Sequence, residues 1–125
     1  MEKVRIADKL ALFSDHFKPK IVGELNGQHV KLVKFAEPFV WHHHEVEDEM
    51  FLVLQGRVRM DYREADGTER ELWIEQGEFV IMPHGVEHRP FAEEEVSIML
   101  FEPAGTLNTG NLGDSELTAA VLDRI

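Results

Sequence analysis

The chain contains no cysteine, which excludes disulfides and thiolate metal sites. It also lacks an apolar run of membrane-spanning length, and residues 1–5 do not form an apolar signal segment. Positive charge is scarce, since 24 acidic residues outnumber 13 lysines and arginines and the net charge is -11. This balance excludes nucleic acid and anionic membrane surfaces as partners. The sequence therefore predicts a cytoplasmic protein whose metal ligands, if any, are imidazoles and carboxylates.

Two short segments carry the residues best suited to metal binding. His42 and His44 are separated by one residue, so on an extended chain their side chains point to the same face. Four residues, enough for a turn, separate His44 from Glu49, which begins an apolar run. The turn can place the Glu49 carboxylate beside the two imidazoles. His88 follows a later apolar run and a turn marked by proline and glycine, so it arrives from a separate strand. Three imidazoles and one carboxylate are a ligand set for a divalent metal.

The spacing of these residues resembles the two sequence motifs of the cupin family. The first motif has a glycine, His-x-His, a glutamate and a glycine, and its matches here are His42, His44, Glu49 and Gly56. The second has a glycine, Pro-x-Gly, a histidine and an asparagine, and its matches here are Gly77, Pro83, Gly85 and His88. Two positions depart, because Ala36 replaces the leading glycine of the first motif and Ala92 the closing asparagine of the second. The resemblance covers about residues 30–103.

The resemblance implies an all-β fold, the double-stranded β-helix or jelly roll, in a small single-domain cupin of the conserved-barrel type. A length of 125 residues agrees with one domain, residues 1–125. We expect a short N-terminal helix or arm at 1–19, the barrel at 20–103 and a C-terminal tail at 104–125. His42, His44, Glu49 and His88 are then expected to bind one divalent transition metal ion.

Residue patterns predict the individual elements. Apolar residues at helical spacing predict an amphipathic helix or an irregular arm on the barrel over 5–17, which stops before Pro19. Strands are predicted at 20–25, 28–35, 39–44, 50–54, 57–64, 68–75, 78–82, 88–91 and 96–102. Asn26-Gly27 and Asp66-Gly67 predict two-residue type I′ hairpins. Asp114 is predicted to cap a last helix over 115–124, and the acidic run 93–95 is interpreted as a solvated loop.

The strand that begins at Glu49 is apolar on both faces. If Glu49 points inward, the two-residue period puts Phe51 and Val53 inward too. The opposite face, formed by Met50, Leu52 and Leu54, then needs a cover, for which the candidates are the other sheet, the N-terminal arm or a second subunit. A homodimer is favoured because one small chain has few residues left to cover this face. The next strand is expected to point Val58, Met60 and Tyr62 inward and Arg57, Arg59 and Arg63 outward, so no cation is expected inside the barrel.

Ligand type also limits the metal. Nitrogen and oxygen donors without sulfur favour Fe, Mn, Ni or Zn, whereas Ca and Mg prefer oxygen alone. Four protein ligands leave two open positions on an octahedral ion but fill a tetrahedral zinc site. Each imidazole must be neutral to bind, so metal affinity is expected to weaken as the pH falls through about 6.

Three kinds of function remain open, and in two of them the partner is a small molecule. The resemblance implies a metal-dependent enzyme for a small oxygenated metabolite, with oxygenase-like chemistry ahead of isomerisation of a sugar or sugar phosphate. The second is a non-catalytic barrel that binds or senses a metal and a small ligand, and the third is a purely structural metal site. The candidates for a catalytic acid or base are Tyr62, His84 and Gln55. The remaining histidines, His16, His29 and His43, are interpreted as ordinary surface or core residues.

Overall fold

Antiparallel strands make up most of the computed structural model, which describes residues 1–125. The helical elements are α1 (Ile6–Leu10) and a 3₁₀ turn (Gly110–Leu112). The strands are β1 (Lys20–Leu25), β2 (Gln28–Pro38), β3 (Glu49–Gln55), β4 (Arg57–Arg63), β5 (Glu69–Glu75), β6 (Phe79–Met82) and β7 (His88–Pro103). The all-β prediction is confirmed. No helix combines the length and the apolar character needed to cross a bilayer.

Strand β7 organises the barrel. The pairing order is β1-β2-β7-β3-β6, and β7 also pairs with β4, which in turn pairs with β5. All of these pairings are antiparallel. A single strand of 16 residues therefore borders β2, β3 and β4. Twelve buried apolar residues from β2 to β7 form the core.

Strand β3 has the faces that its alternation predicts. Glu49, Phe51 and Val53 are buried, whereas Met50, Leu52 and Leu54 are half-buried. Of the predicted hairpins, Asn26 and Gly27 both have positive φ, 50° and 77°, as a type I′ turn requires. The second type I′ prediction is wrong, because only Gly67 of the pair Asp66-Gly67 has positive φ. The β4–β5 connection is longer, and Gly67 ends a turn that begins at Glu64.

The N-terminal segment combines the two predicted alternatives, a helix and an irregular arm. The helix ends at Leu10, and the rest of residues 5–17 follows an irregular path across the barrel. The ammonium group of Lys34 explains the early end, since its Nζ donates to the carbonyl oxygens of Leu10 at 2.7 Å and Phe13 at 2.8 Å. These carbonyls turn toward the strand instead of accepting helical hydrogen bonds.

The predicted C-terminal helix over 115–124 is absent, and turns replace it. Side chains satisfy the backbone groups that a helix would have paired. Asn108 donates to the Leu117 carbonyl at 2.8 Å and accepts from the Ala119 N–H at 2.8 Å. Thr118 Oγ1 donates to the Gly113 carbonyl oxygen. Polar side chains of this kind compete with helical hydrogen bonding.

Two further element predictions are wrong. Residues 39–44 do not form a strand and contribute only one bridge, between His42 and His88. The two strands predicted at 88–91 and 96–102 are parts of β7, which continues through the acidic run 93–95. The side chains of that run are exposed, as expected, although its backbone is not a loop. Strand β7 pairs with β2 and β4 before the run and with β2 and β3 after it, and these pairings keep the strand extended.

Candidate metal centre

Four residues from separate parts of the chain meet inside the barrel. His42 and His44 come from the irregular segment before β3, Glu49 begins β3, and His88 begins β7. Each residue offers one ligand atom, and these atoms lie within 4.8 Å of one another. All four are buried, with exposed fractions of 3%, 3%, 4% and 0%. The four residues singled out in the sequence therefore form one cluster.

Backbone hydrogen bonds hold the two histidine segments together. The N–H of His42 donates to the His88 carbonyl at 3.1 Å, and the N–H of His88 donates to the His42 carbonyl at 2.8 Å. A third hydrogen bond joins the same two segments, since the Gly85 N–H donates to the carbonyl of His44 at 2.7 Å. The first segment thus runs antiparallel to the start of β7, which brings the rings of His42 and His88 to a centroid separation of 4.3 Å.

The same segments orient two of the imidazole rings. Nδ1 of His42 lies 2.8 Å from the carbonyl oxygen of Val40, and Nδ1 of His88 lies 2.8 Å from that of Val86. A carbonyl only accepts, so in each ring Nδ1 carries the proton and donates it. In the neutral form of each ring, Nε2 then carries no hydrogen and is able to bind a metal.

Several polar atoms at the centre lack hydrogen-bond partners. His44 Nε2, His88 Nε2 and Glu49 Oε1 are buried and unsatisfied. Glu49 Oε1 lies 2.8 Å from His44 Nε2 and 3.4 Å from His88 Nε2. Burying such atoms without partners is unfavourable, and a divalent cation would satisfy all three at once. The nitrogen and oxygen donor set fits a transition metal.

The protonation states also suit a cation. Burial, together with the nearby His88, lowers the pKa of His42 to about 4. Burial by itself would raise the pKa of Glu49, but its contacts with Glu102, His44 and His88 outweigh burial and hold that pKa well below the ordinary value. At neutral pH the imidazole of His42 is therefore neutral and the carboxylate of Glu49 charged, as metal ligation requires.

The low pKa of His42 predicts acid destabilisation of the metal-free protein. The unfolded imidazole, with a pKa of 6.5, binds a proton more readily than the folded one, with a pKa of about 4. Its contribution to stability is therefore complete above pH 6.5 and decreases as the pH falls toward 4. We expect a loss of about 2 kcal/mol from this residue, measured by urea unfolding at pH 7 and pH 4.5.

The control for this prediction is His42→Gln, which removes the titrating group. Between pH 7 and pH 4.5, its free energy of unfolding is expected to vary less than that of the wild type by about the same 2 kcal/mol. Equal pH dependence in the two proteins would contradict the prediction.

An apolar cavity of about 50 Å³ adjoins the cluster. Its aromatic wall includes Phe17, Phe35, Phe39 and Phe51, and the polar residues His42, Glu49, Glu102 and Asn108 also line it. The ring of Phe17 stacks on Phe35 at 5.3 Å and on Phe39 at 5.1 Å between centroids. Asn108 donates to the Phe17 carbonyl at 3.2 Å. The N-terminal arm and the C-terminal tail thus meet over this cavity.

The expectation that no cation enters the barrel is wrong. Lys31 is 1% exposed, and its Nζ donates to Oε1 of the equally buried Glu102 at 2.7 Å. The sequence analysis missed both residues, although a signal was present. Lys31 is in phase with Val33 and Phe35 on β2, and Glu102 is in phase with Ile98 and Leu100 on β7, so each continues an inward apolar series.

The tail also contacts the segment that carries His42 and His44. The Asn111 N–H donates to the carbonyl of His43 at 2.9 Å, and the His43 N–H donates to Asn111 Oδ1 at 2.8 Å. Gly110 packs so closely here that an added Cβ would overlap the His43 carbonyl oxygen and lie 3.3 Å from Cδ2 of His42. Sequence reasoning did not connect this glycine with the site.

The other candidate residues lie outside the cluster. Tyr62 pairs with His88 across β4 and β7 and packs on the core. His84 is exposed, and its Nδ1 lies 2.8 Å from Asp48 Oδ1. Gln55 is exposed at the end of β3. The remaining histidines, His16, His29 and His43, lie beside carboxylates instead of the other imidazoles.

The structure is an antiparallel barrel that encloses a buried cluster of three imidazoles and one carboxylate. These features define a class of small β-barrel proteins with an internal polar site. The family model described as the cupin domain matches residues 29–102, more than half of the chain. The protein belongs to the cupin family. This membership agrees with the resemblance in the two histidine motifs.

Three known proteins illustrate the similarity. A cupin-2 domain protein from Shewanella frigidimarina NCIMB 400 is 38% identical, with a TM-score of 0.75 over 80% of this chain and 93% of that one. The uncharacterized protein YdbB of Bacillus subtilis (strain 168) is 29% identical over 54% of this chain and 57% of its own length. This chain thus spans little more than half of that curated relative. Hydroquinone 1,2-dioxygenase PnpCD, in complex with Cd²⁺ and 4-hydroxybenzonitrile, is 18% identical, with a TM-score of 0.64 over 78% of this chain and 70% of its own, which establishes a shared fold.

Proposed function

We propose that this cupin binds one divalent transition metal ion, Fe, Mn, Ni or Zn, through His42, His44, Glu49 and His88. The metal would hold and polarise a small oxygenated metabolite, and oxygenase-like chemistry is favoured. The observation that carries the proposal is the set of buried ligand atoms within 4.8 Å of one another, three of which have no hydrogen-bond partner.

The wall beside the cluster supports a site for chemistry or ligand binding over a purely structural one. An octahedral ion with four protein ligands keeps two positions for water, substrate or O₂. The adjoining cavity is apolar, so it would exclude bulk water from those positions and strengthen electrostatic interactions there. The fold shared with a hydroquinone dioxygenase is compatible with oxygen chemistry in such a barrel.

Two alternative functions differ in their support. A sugar-phosphate isomerase would need free cations for the phosphate, but the buried Lys31 is already paired with Glu102 at 2.7 Å. A binding or sensing barrel without turnover is favoured by the small cavity of about 50 Å³.

O₂ consumption across a panel of diketones, catechols and thiols separates sensing from oxygenase chemistry. Turnover of any panel member supports the enzyme, and silence across the panel favours the sensor.

Elemental analysis tests the metal itself. The full chain is purified without a histidine tag or a nickel column, so that metal is not introduced by the purification. We expect about one transition metal ion per chain. Iron or manganese would support the enzyme, because octahedral ions keep open positions, and zinc would favour a closed site. Protein free of transition metal that also fails to bind added Fe²⁺, Mn²⁺ or Zn²⁺ would overturn the proposal.

We expect the barrel to pair with a second copy through the outer face of β3 and β6. Met50 lies opposite Ile81, and Leu52 opposite Phe79, on this face. Phe79 and Ile81 are 59% and 56% exposed at the edge of the sheet. Contiguous exposed apolar side chains of this kind mark association surfaces. The homodimer and the cytoplasmic location both stay predictions.

Ile81→Glu is expected to weaken the dimer by about 100-fold, since a charge would be buried against an apolar face. Analytical ultracentrifugation at micromolar concentration measures the change as a shift from dimer to monomer. Leu72→Glu is the matched control, because Leu72 is 46% exposed on β5, away from this face. A wild-type monomer, or equal dimerisation of the two variants, would contradict the prediction.

A further inference from the structure

We propose that Phe17 is the gate of the apolar cavity beside the proposed metal ligands, and that a ligand enters when the Phe17 ring moves away from Phe35 and Phe39. This control of access rests on the proposed metal site, which the cavity adjoins. Phe17 lies in residues 14–19, the last part of the N-terminal arm, and we call these residues the gate segment. They belong to no helix or strand.

Burial identifies the outer wall of the cavity. The residues that line the cavity are buried except for Phe17 and Asn108, which are half-buried. The aromatic neighbours of Phe17 on the wall, Phe35 and Phe39, are 4% and 9% exposed. The cavity therefore meets solvent at Phe17 and Asn108, and a ligand from solution has to pass these two side chains.

Hydrogen bonding fixes the other walls more firmly than the gate segment. Most wall residues lie on β2, β3 and β7, whose paired strands open least readily. Phe39 precedes β3, and its N–H donates to the Pro90 carbonyl at 2.9 Å. The amide of Asn108 is bonded to the turns of the tail. The gate segment makes one backbone–backbone hydrogen bond, from the Phe17 N–H to the Lys34 carbonyl at 3.0 Å.

The ends of the gate segment are fixed, so its movement leaves the rest of the arm in place. Before the segment, Lys34 Nζ donates to the Phe13 carbonyl at 2.8 Å, and after it Lys20 begins β1. Within it, His16 Nε2 lies 2.7 Å from Glu95 Oε2, and both side chains are exposed. Exposed ion pairs contribute little to stability, so this contact does not lock the segment.

The closed position of Phe17 is strained as well as stabilised. Its φ of 61° lies in the left-handed region, which is unfavourable for a residue with a side chain. The two aromatic stacks and the hydrogen bond from Asn108 at 3.2 Å hold it there. If Phe17 moves to an extended backbone, these contacts are lost but the strain is released. Because the two effects oppose each other, the open position is accessible from the closed one.

Thiol labelling of the full chain with methyl methanethiosulfonate tests the gate, because the chain has no cysteine of its own. Val33→Cys places a reporter on the cavity wall, and Val58→Cys places one in the core away from the cavity. Phe17→Ala is expected to speed labelling of the wall reporter by at least about tenfold, since two aromatic stacks that close the cavity are lost. It is expected to leave labelling of the core reporter unchanged.

Phe13→Ala is the matched control. Phe13 is a half-buried phenylalanine of the same arm that does not line the cavity, and the ammonium of Lys34 lies 4.8 Å from its ring centroid. This variant is expected to keep the labelling rates of both reporters. Phe17→Gly serves if Phe17→Ala does not fold, because glycine adopts a φ of 61° without strain. It too is expected to speed labelling of the wall reporter alone.

Equal labelling of the wall reporter with and without the Phe17 ring overturns the gate. Faster labelling of both reporters together also overturns it, because that result reports a general loss of stability. Equal acceleration by Phe13→Ala overturns it as well. Neither reporter needs a bound metal, so labelling tests access to the cavity by itself, and failure to find or bind metal in the elemental analysis overturns the proposed function separately.

Discussion

His44→Ala is expected to lower the affinity for the metal by at least about 100-fold. The variant removes one of four ligands, and even residues that only orient ligands are worth 10-fold to 100-fold. His44 Nε2 is buried, has no hydrogen-bond partner and lies 2.8 Å from Glu49 Oε1. Elemental analysis and a competitive chelator titration measure the effect.

The matched control is His84→Ala. His84 is the histidine of the second motif segment that lies outside the cluster, with its side chain 59% exposed and paired with Asp48. We expect this variant to keep the wild-type metal content. If both alanine variants bind metal like the wild type, or if both lose it equally, the assignment of the ligands is wrong.

Gly110→Ala is expected to destabilise the protein by about 3 kcal/mol or more and to weaken metal binding. An alanine Cβ at this position would overlap the carbonyl oxygen of His43 and lie 3.0 Å from its carbonyl carbon. Backbone atoms cannot yield as a flexible side chain can, so the tail or the His42–His43 backbone must shift. Because His42 is a proposed ligand, either shift would disturb the site. Urea unfolding and metal titration measure the two effects.

Gly105→Ala separates overlap from backbone strain. Gly105 also has positive φ, 87°, but an added Cβ would meet nothing within 4 Å. This variant is expected to lose only the cost of the left-handed backbone, about 1 to 2 kcal/mol, and to keep its metal. Equal destabilisation of the two variants would show that the packing of Gly110 against the His43 carbonyl does not stabilise the protein.

The tail is therefore part of the proposed site even though it supplies no ligand. It reaches the cluster through Gly110 and Asn111, and it reaches the cavity wall through the hydrogen bond from Asn108 to Phe17. Phe17 has a positive φ of 61°, which is unfavourable for an aromatic residue. The stacking on Phe35 and Phe39 and the contact with Asn108 hold it there. Arm and tail together set how much space lies beside the proposed metal ligands.

Local spacing made part of the site predictable. Period two places the side chains of His42 and His44 on one side of an extended segment, and it places Glu49, Phe51 and Val53 on one face of β3. These relations depend on neighbouring residues alone, so they survive even where the secondary structure differs. Residues 39–44 do not form the predicted strand, yet both imidazoles lie in the cluster.

The two ends of the chain were less predictable, because local sequence patterns do not determine their structure. The helical pattern over 5–17 and the expected helix over 115–124 are weak local preferences, and tertiary hydrogen bonds override them. Lys34 draws the carbonyl oxygens of Leu10 and Phe13 away from a helix. Asn108 does the same for residues near Leu117. All of these partners lie beyond the reach of a helical hydrogen bond, which joins residues four apart.

The amino-acid sequence by itself determined the ligand types, the alternation of buried and exposed faces and the all-β class, because each follows from residue chemistry and spacing over a few positions. Only the tertiary structure decided that Glu102 meets Lys31 and Glu49, and that Gly110 packs against His43. Lys31 and Glu102 are 71 residues apart, and their meeting depends on the register between β2 and β7. Register and tail placement are set by the packing of the whole barrel, which a local pattern does not encode.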